Sequence, residues 1–79
     1  MPDLSKLPWD ECALPEFNGC SYSTRFIPSN SEDITIFQHK RLVAWRTESM
    51  WTLCGIQIDE LEQIAKMCRI VENFIKEHS

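Results

Sequence analysis

The spacing of apolar and polar residues changes partway along the chain, at Gly55. Before that point, apolar residues alternate with polar ones, which is the period of a half-buried β-strand. After it they recur at intervals of three and four, which is the period of an amphipathic helix. The pattern therefore predicts a sheet followed by one helix, an α+β fold.

Four segments before Gly55 have the alternation or the composition of strands. The turn-forming pair "NG" opens the first, which places Tyr22 and Thr24 on one face and Arg25 on the other. The loop-like "PSNSED" leads into "ITIFQH", and "RLVAWRTE" follows, with Val43 and Trp45 on the same face. "MWTLC" is a short fourth candidate. We predict an antiparallel β-meander of three to four strands.

The segment after Gly55 predicts a helix that runs to about Glu77. Asp59 precedes the helical pattern and Glu62 follows three residues later, so the two carboxylates are expected to form a capping box. One apolar stripe is suited to pack on the sheet; it consists of Leu61, Ile64, Cys68, Val71 and Ile75.

Residues 1–19 contain three prolines, which disfavour a helix or a central strand. The same segment carries Trp9 and Phe17 and is too apolar for a free tail. We therefore predict an extended N-terminal strap, either packed across the core or docked on a partner, and a single domain over residues 20–79. A chain of 79 residues buries only about 60% of the surface that its unfolded form exposes, so the core must be small.

A second apolar row on the helix, Met67, Ile70 and Phe74, widens its apolar arc to about half the circumference. Two interpretations remain open. The row is buried in the core beneath the strap, or it is offered to another chain. We expect Trp9, Met67, Ile70 and Phe74 to bind a partner, and we expect a homodimer through the C-terminal helix.

Charge argues against a general nucleic-acid-binding surface. Twelve acidic and eight basic side chains give a net charge of −4, whereas nonspecific phosphate binding depends on Lys and Arg. Residues 20–58 are the exception, with four basic and three acidic groups. The acidic strap and helix are suited to a basic protein surface.

The residues that usually carry chemistry have no recognisable arrangement. Cys12, Cys20, Cys54 and Cys68 lack the close spacing of zinc ligands, and neither His39 nor His78 has the setting of a catalytic base. We expect no enzyme activity, no metal and no cofactor. No secretory signal or membrane span is recognisable, so we expect a cytoplasmic protein with reduced cysteines and no membrane partner.

The most suggestive stretch is "FQHKRLVAWR", in which three basic residues surround two aromatic ones: Lys40, Arg41 and Arg46, with Phe37 and Trp45. Sheets bind single strands of nucleic acid by stacking and phosphate contact of this kind. With "GIQI" and the apolar helix, residues 33–77 resemble the single-stranded-DNA-binding coactivator domains. That resemblance implies a curved sheet that binds single-stranded DNA and a helix that dimerises. Those domains are rich in basic residues on the sheet, whereas this chain is acidic overall.

Two hypotheses about function follow. The leading one is a small acidic, non-enzymatic protein that regulates or inhibits a partner macromolecule by direct protein–protein binding. Small inhibitors encoded by phages or mobile elements often have this composition. The alternative is a module that binds single-stranded nucleic acid on its sheet and dimerises through its helix.

Overall fold

The sheet is a four-stranded antiparallel meander. The computed structural model describes residues 3–27 and 34–78, so the whole of the predicted "PSNSED" loop lies outside the described residues. Strands β1 (Tyr22–Phe26), β2 (Ile34–Gln38), β3 (Arg41–Thr47) and β4 (Met50–Leu53) are followed by helix α1 (Leu61–Glu77). The strands lie in the sheet in chain order. The α+β class and the meander are thus confirmed, with four strands.

One face of the sheet carries the core. Thr24, Ile36, Ala44 and Leu53 are cross-strand partners in a row that spans all four strands. Such partners share a face, and in this row they are buried or half-buried. The alternation in β1 is as predicted, because Tyr22 and Thr24 are buried and the residue that follows, Arg25, is exposed.

An irregularity in β3 changes its predicted alternation. Ile36 pairs with Ala44 but its neighbour Phe37 pairs with Leu42, so Val43 is an extra residue in the ladder. Val43 and Ala44 are adjacent and both fully buried. The prediction that Val43 shares a face with Trp45 is therefore wrong, and the bulge is the reason.

Helix α1 ends at Glu77, as its spacing predicts, but it does not begin with a capping box. The N-cap is Glu60, which has no side-chain capping bond. A tight turn precedes the helix, and in it the Glu60 amide donates to the Gln57 carbonyl at 3.0 Å. The Glu60 carboxylate accepts from the Gln57 amide at 2.9 Å. Turn formation before the helix thus replaces the cap expected from Asp59 and Glu62.

The N-terminal strap packs on the core through two single 3-10 turns, Leu4–Lys6 and Trp9–Glu11. The Trp9 indole nitrogen donates to the Leu4 carbonyl at 2.7 Å. Its ring lies 5.2 Å from that of Phe74 on α1, measured between centroids. Cys12, which follows the second turn, is buried. The strap is therefore packed across the domain.

This packing decides between the two interpretations of the second helical row. Met67 is fully buried and Phe74 is 9% exposed, while Ile70 is half-buried. The sheet covers one side of the apolar arc and the strap covers the other. The row is therefore largely core, and the expectation that it forms an exposed apolar edge is wrong.

A buried ion pair joins α1 to the sheet. The Arg46 side chain is 9% exposed, and its Nε donates to Glu72 Oε1 at 2.6 Å. The Trp51 indole nitrogen donates to the same oxygen at 3.0 Å. Because a buried charge without its partner is costly, this pair holds the helix over β3 and β4.

The contact between the strap and α1 can be tested with a double-mutant cycle. Trp9→Leu and Phe74→Leu should each lower the free energy of unfolding in urea. Their effects should be non-additive by about 1 kcal/mol, the usual size of an aromatic pair. As a control, Trp9→Leu combined with Ile36→Val in the sheet should be additive. Additive effects for the Trp9 and Phe74 pair would contradict the packed strap.

The ion pair gives a second prediction. Glu72→Gln should lower the free energy of unfolding by about 2 kcal/mol, because it replaces the carboxylate that accepts from the buried Arg46 Nε with a neutral amide. Glu62→Gln is the matched control, since Glu62 lies on the same helix and pairs with Lys66 at 3.7 Å on the exposed surface. It should cost less than about 1 kcal/mol. Equal losses of unfolding free energy in Glu72→Gln and Glu62→Gln would show that the Arg46 guanidinium is solvated.

Candidate functional site

The face of the sheet opposite the helix, called the outer face from here on, carries aromatic side chains outside the core. Arg25, Thr35, Trp45 and Thr52 are cross-strand partners in a row across all four strands. The neighbouring row contains Ser23, Phe37 and Leu42. Phe37, Leu42 and Trp45 are half-buried and do not belong to the core cluster of the described residues.

The outer face is organised by a cation over an aromatic ring. The Arg25 guanidinium lies 5.0 Å from the centroid of the Phe37 ring, within the range of a cation–π interaction. Between Arg25 and Trp45, Thr35 is only 2% exposed. Its hydroxyl donates to the Arg25 carbonyl at 3.3 Å. The Thr35 hydrogen bond ties β2 to β1 beneath the Arg25 and Phe37 contact.

Acidic residues are absent from all four strands, which contain three arginines instead. Arg25 belongs to the outer face, whereas Arg41 and Arg46 fall in rows on the helix side. The acidic residues of the described chain lie in the strap, in the turn between β3 and β4, and in and before α1. The outer face is therefore aromatic and weakly basic in a chain that is acidic overall.

The five predicted nucleic-acid-binding residues do not share one surface. Phe37 and Trp45 lie on the outer face, and Lys40 is exposed in the turn that joins β2 to β3. Arg41 Nη1 donates to Gln38 at 2.9 Å and lies 3.5 Å from a Glu60 oxygen. Arg46 is bound to the helix, as described above. Strand alternation thus places Arg41 and Arg46 on the helix side of the sheet, away from Phe37 and Trp45 on the outer face.

Arg25 is the member of the outer face that the sequence pattern did not single out as functional. Arg25 follows Thr24 in the alternation, so the pattern places it on the solvent side of β1. Its contact with Phe37 depends on the pairing register between β1 and β2, which alternation alone does not reveal.

The predicted partner-binding residues lie together, but mostly inside the molecule. Trp9 is half-buried against Phe74, and Met67 is fully buried. Ile70 is half-buried and lines a groove between the strap and α1. Of these four residues, Trp9 and Ile70 keep part of their surface exposed.

A polar cavity of about 210 Å³ lies where the strap enters the sheet. Gln38 bridges two of its groups, because its amide nitrogen donates to the Tyr22 hydroxyl at 3.3 Å and its oxygen accepts from Arg41. Burial raises the pKa of the Tyr22 phenol. Arg41 is also paired with Glu60. The polar groups of this cavity are thus bound largely to one another.

All four cysteines are free thiols. Burial raises the pKa of Cys68 to about 11 and also raises the pKa of Cys12. His78 lies at the end of α1, with Nδ1 2.9 Å from the Phe74 carbonyl oxygen. Across residues 3–27 and 34–78, no three His, Cys, Asp or Glu side chains are grouped so that they could hold a metal ion.

Burial of Cys68 predicts a loss of stability at alkaline pH. The folded state keeps the neutral thiol, whereas an unfolded thiol has a pKa near 9.0. As the pH rises, the unfolded state loses this proton first, so the free energy of unfolding should fall between about pH 9 and pH 11. Urea titrations should show a smaller fall over this window for Cys68→Ala. The same pH dependence in the wild type and in Cys68→Ala would contradict the assignment of this loss of stability to the Cys68 thiol.

No family model, no curated protein and no solved structure matches the chain. Among the described residues, no helix has both the length and the apolar character needed to cross a bilayer. A proposal about function therefore depends on the arrangement of the chain's own residues. The outer face is the part of that arrangement with the most binding character.

Proposed function

We propose that this chain is a small cytoplasmic, non-enzymatic interaction protein that regulates or inhibits a partner by direct protein–protein binding. The partner docks on the outer face. The observation that carries the proposal is a group of aromatic and apolar side chains, Phe37, Leu42 and Trp45, which lie in two neighbouring rows of the outer face and outside the core cluster of the described residues.

The residue types on this face support a protein partner. Interface hot spots are enriched in Trp and Arg, and interfaces as a whole in Phe and Met. Trp45 and Arg25 lie in the same cross-strand row, with Thr35 between them. Met50, paired with Thr47 at the end of β3, is 75% exposed and extends the apolar surface.

Charge indicates which kind of protein surface fits. The outer face presents Arg25 and carries no carboxylate in any of its strands. A partner with an apolar centre and an acidic rim would complement it, and such complementarity speeds encounter and selects partners. Self-association through the helix is not part of the proposal, because Met67 and Phe74 are buried within the chain.

Single-stranded nucleic acid is the second candidate, and one observation favours it. Arg25 over Phe37, with Trp45 on the same face, is an arrangement on which bases can stack while a cation meets phosphate. The order of four strands and a helix also agrees with the coactivator domains that the sequence resembles. With few cations on the face, binding would show a shallow dependence on salt.

The proposal predicts that Trp45→Ala will weaken partner binding without unfolding the chain. A protein captured from a cell extract by the wild type is purified and its Kd is measured directly. Trp45→Ala should weaken binding about thirty-fold or more, about 2 kcal/mol for a hot-spot residue. Ile58→Ala is the control, because Ile58 is apolar, 91% exposed and outside the sheet. It should leave the Kd unchanged.

The second candidate is separated from the first by adding a single-stranded oligonucleotide to the same two variants and measuring molar mass at several salt concentrations. Oligonucleotide binding that is lost in Trp45→Ala and kept in Ile58→Ala would favour the second candidate and contradict the first. A captured protein that binds both variants equally would exclude the outer face as its site.

A further inference from the structure

The strap and α1 enclose a groove that the outer-face proposal does not use. It has a volume of about 300 Å³. Its lining comes from the end of the second 3-10 turn, from the strap that follows and from one side of the helix: Glu11, Cys12, Ala13, Ile70, Asn73, Phe74 and Glu77. No strand contributes to this lining, so the groove is separate from the outer face.

The floor of the groove is apolar and held in place. Ile70 is half-buried there, and Phe74 is fixed between two rings. Trp9 lies 5.2 Å from Phe74 on one side and His78 lies 4.3 Å away on the other, measured between centroids. Because these ring contacts are made within the chain itself, they form the floor of the groove.

The rim of the groove is acidic. Glu11 and Glu77 are both exposed, and they come from different elements, the strap and the end of α1. Within residues 3–27 and 34–78, neither carboxylate takes part in an ion pair. Asn73 adds a polar side chain on the exposed side of the helix. None of the described residues that line the groove is basic.

An apolar floor with a carboxylate rim matches one kind of side chain. Lys and Arg bury an aliphatic stem on apolar surface while their charged head stays at a polar edge. A groove of about 300 Å³ is at the small end of binding pockets, which suits a single long side chain better than a whole ligand. Two carboxylates repel phosphate, so the same groove disfavours nucleic acid.

We infer that this groove binds a basic, apolar segment of a partner protein, one Lys or Arg of which inserts between the strap and α1. Its aliphatic stem lies along Ile70 and Phe74, and its cationic head is held by Glu11 and Glu77. This surface goes beyond the outer face and does not depend on it. A partner that spans both surfaces would meet a basic face on one side and an acidic groove on the other.

The test uses a capped heptapeptide of alternating leucine and lysine as the probe, with calorimetry and intrinsic tryptophan fluorescence as readouts at low salt. The wild type should bind it in a single-site isotherm. The double variant Glu11→Gln and Glu77→Gln keeps the shape of the rim but removes its charge. It should weaken binding at least tenfold.

The matched control is the double variant Glu48→Gln and Glu62→Gln, which removes the same charge from exposed positions outside the groove. It should change the Kd less than twofold, and Trp45→Ala should leave it unchanged even if the outer-face proposal fails. A peptide with glutamine in place of lysine should bind at least tenfold more weakly than the lysine peptide.

Three results would overturn the inference. The first is no binding of the lysine peptide to the wild type. The second is equal weakening in the groove and control variants, which would mean attraction by net charge alone. The third is a dimer in the wild type that dissociates in Glu11→Gln and Glu77→Gln, since the groove would then bind a second copy of this chain.

Discussion

The width of the apolar arc on α1 is the constraint that the rest of the structure satisfies. Six helical residues are buried, and they include members of both rows, Cys68 from the first and Met67 from the second. One face of a four-stranded sheet cannot cover such an arc. The strap closes the other side, with Trp9 against Phe74. The helix is therefore covered on two sides, by the sheet and by the strap.

That layering also determines which surfaces remain for binding. The helix and strap cover one face of the sheet, so the aromatic residues of the other face stand outside the core. Glu72 reinforces the division, because it draws Arg46 toward the helix and away from the outer face. The chain thus separates an acidic side, formed by strap and helix, from a sheet side without carboxylates in its strands.

Periodicity was sufficient to predict the element types, because a meander and an amphipathic helix each leave a regular trace in the sequence. Two local features left no such trace. The bulge that buries Val43 beside Ala44 breaks the alternation without an unusual residue. The turn before α1 satisfies its own amides and so displaces the cap that Asp59 and Glu62 suggested.

The candidate site was harder to predict than the fold, because a site depends on pairing between segments. Phe37 and Trp45 come from one stretch of sequence and share the outer face, but the cation over Phe37 is Arg25 from another strand. Arg46 looked like part of the same cluster and instead pairs with Glu72, which is distant in sequence. The burial of Met67 likewise required knowledge of where the strap lies.

The contact between Trp9 and Phe74 has a consequence for how the chain acquires its structure. It joins a segment that is synthesised before the sheet to a helix that is synthesised after it. The sheet can pair strand by strand during synthesis, but its apolar face stays open until α1 arrives and the strap closes over it. Contacts so distant in sequence slow folding and prolong the exposure of apolar surface. A nascent chain that ends before α1 would therefore expose the apolar surface of its sheet and strap, and we expect chaperones to bind it.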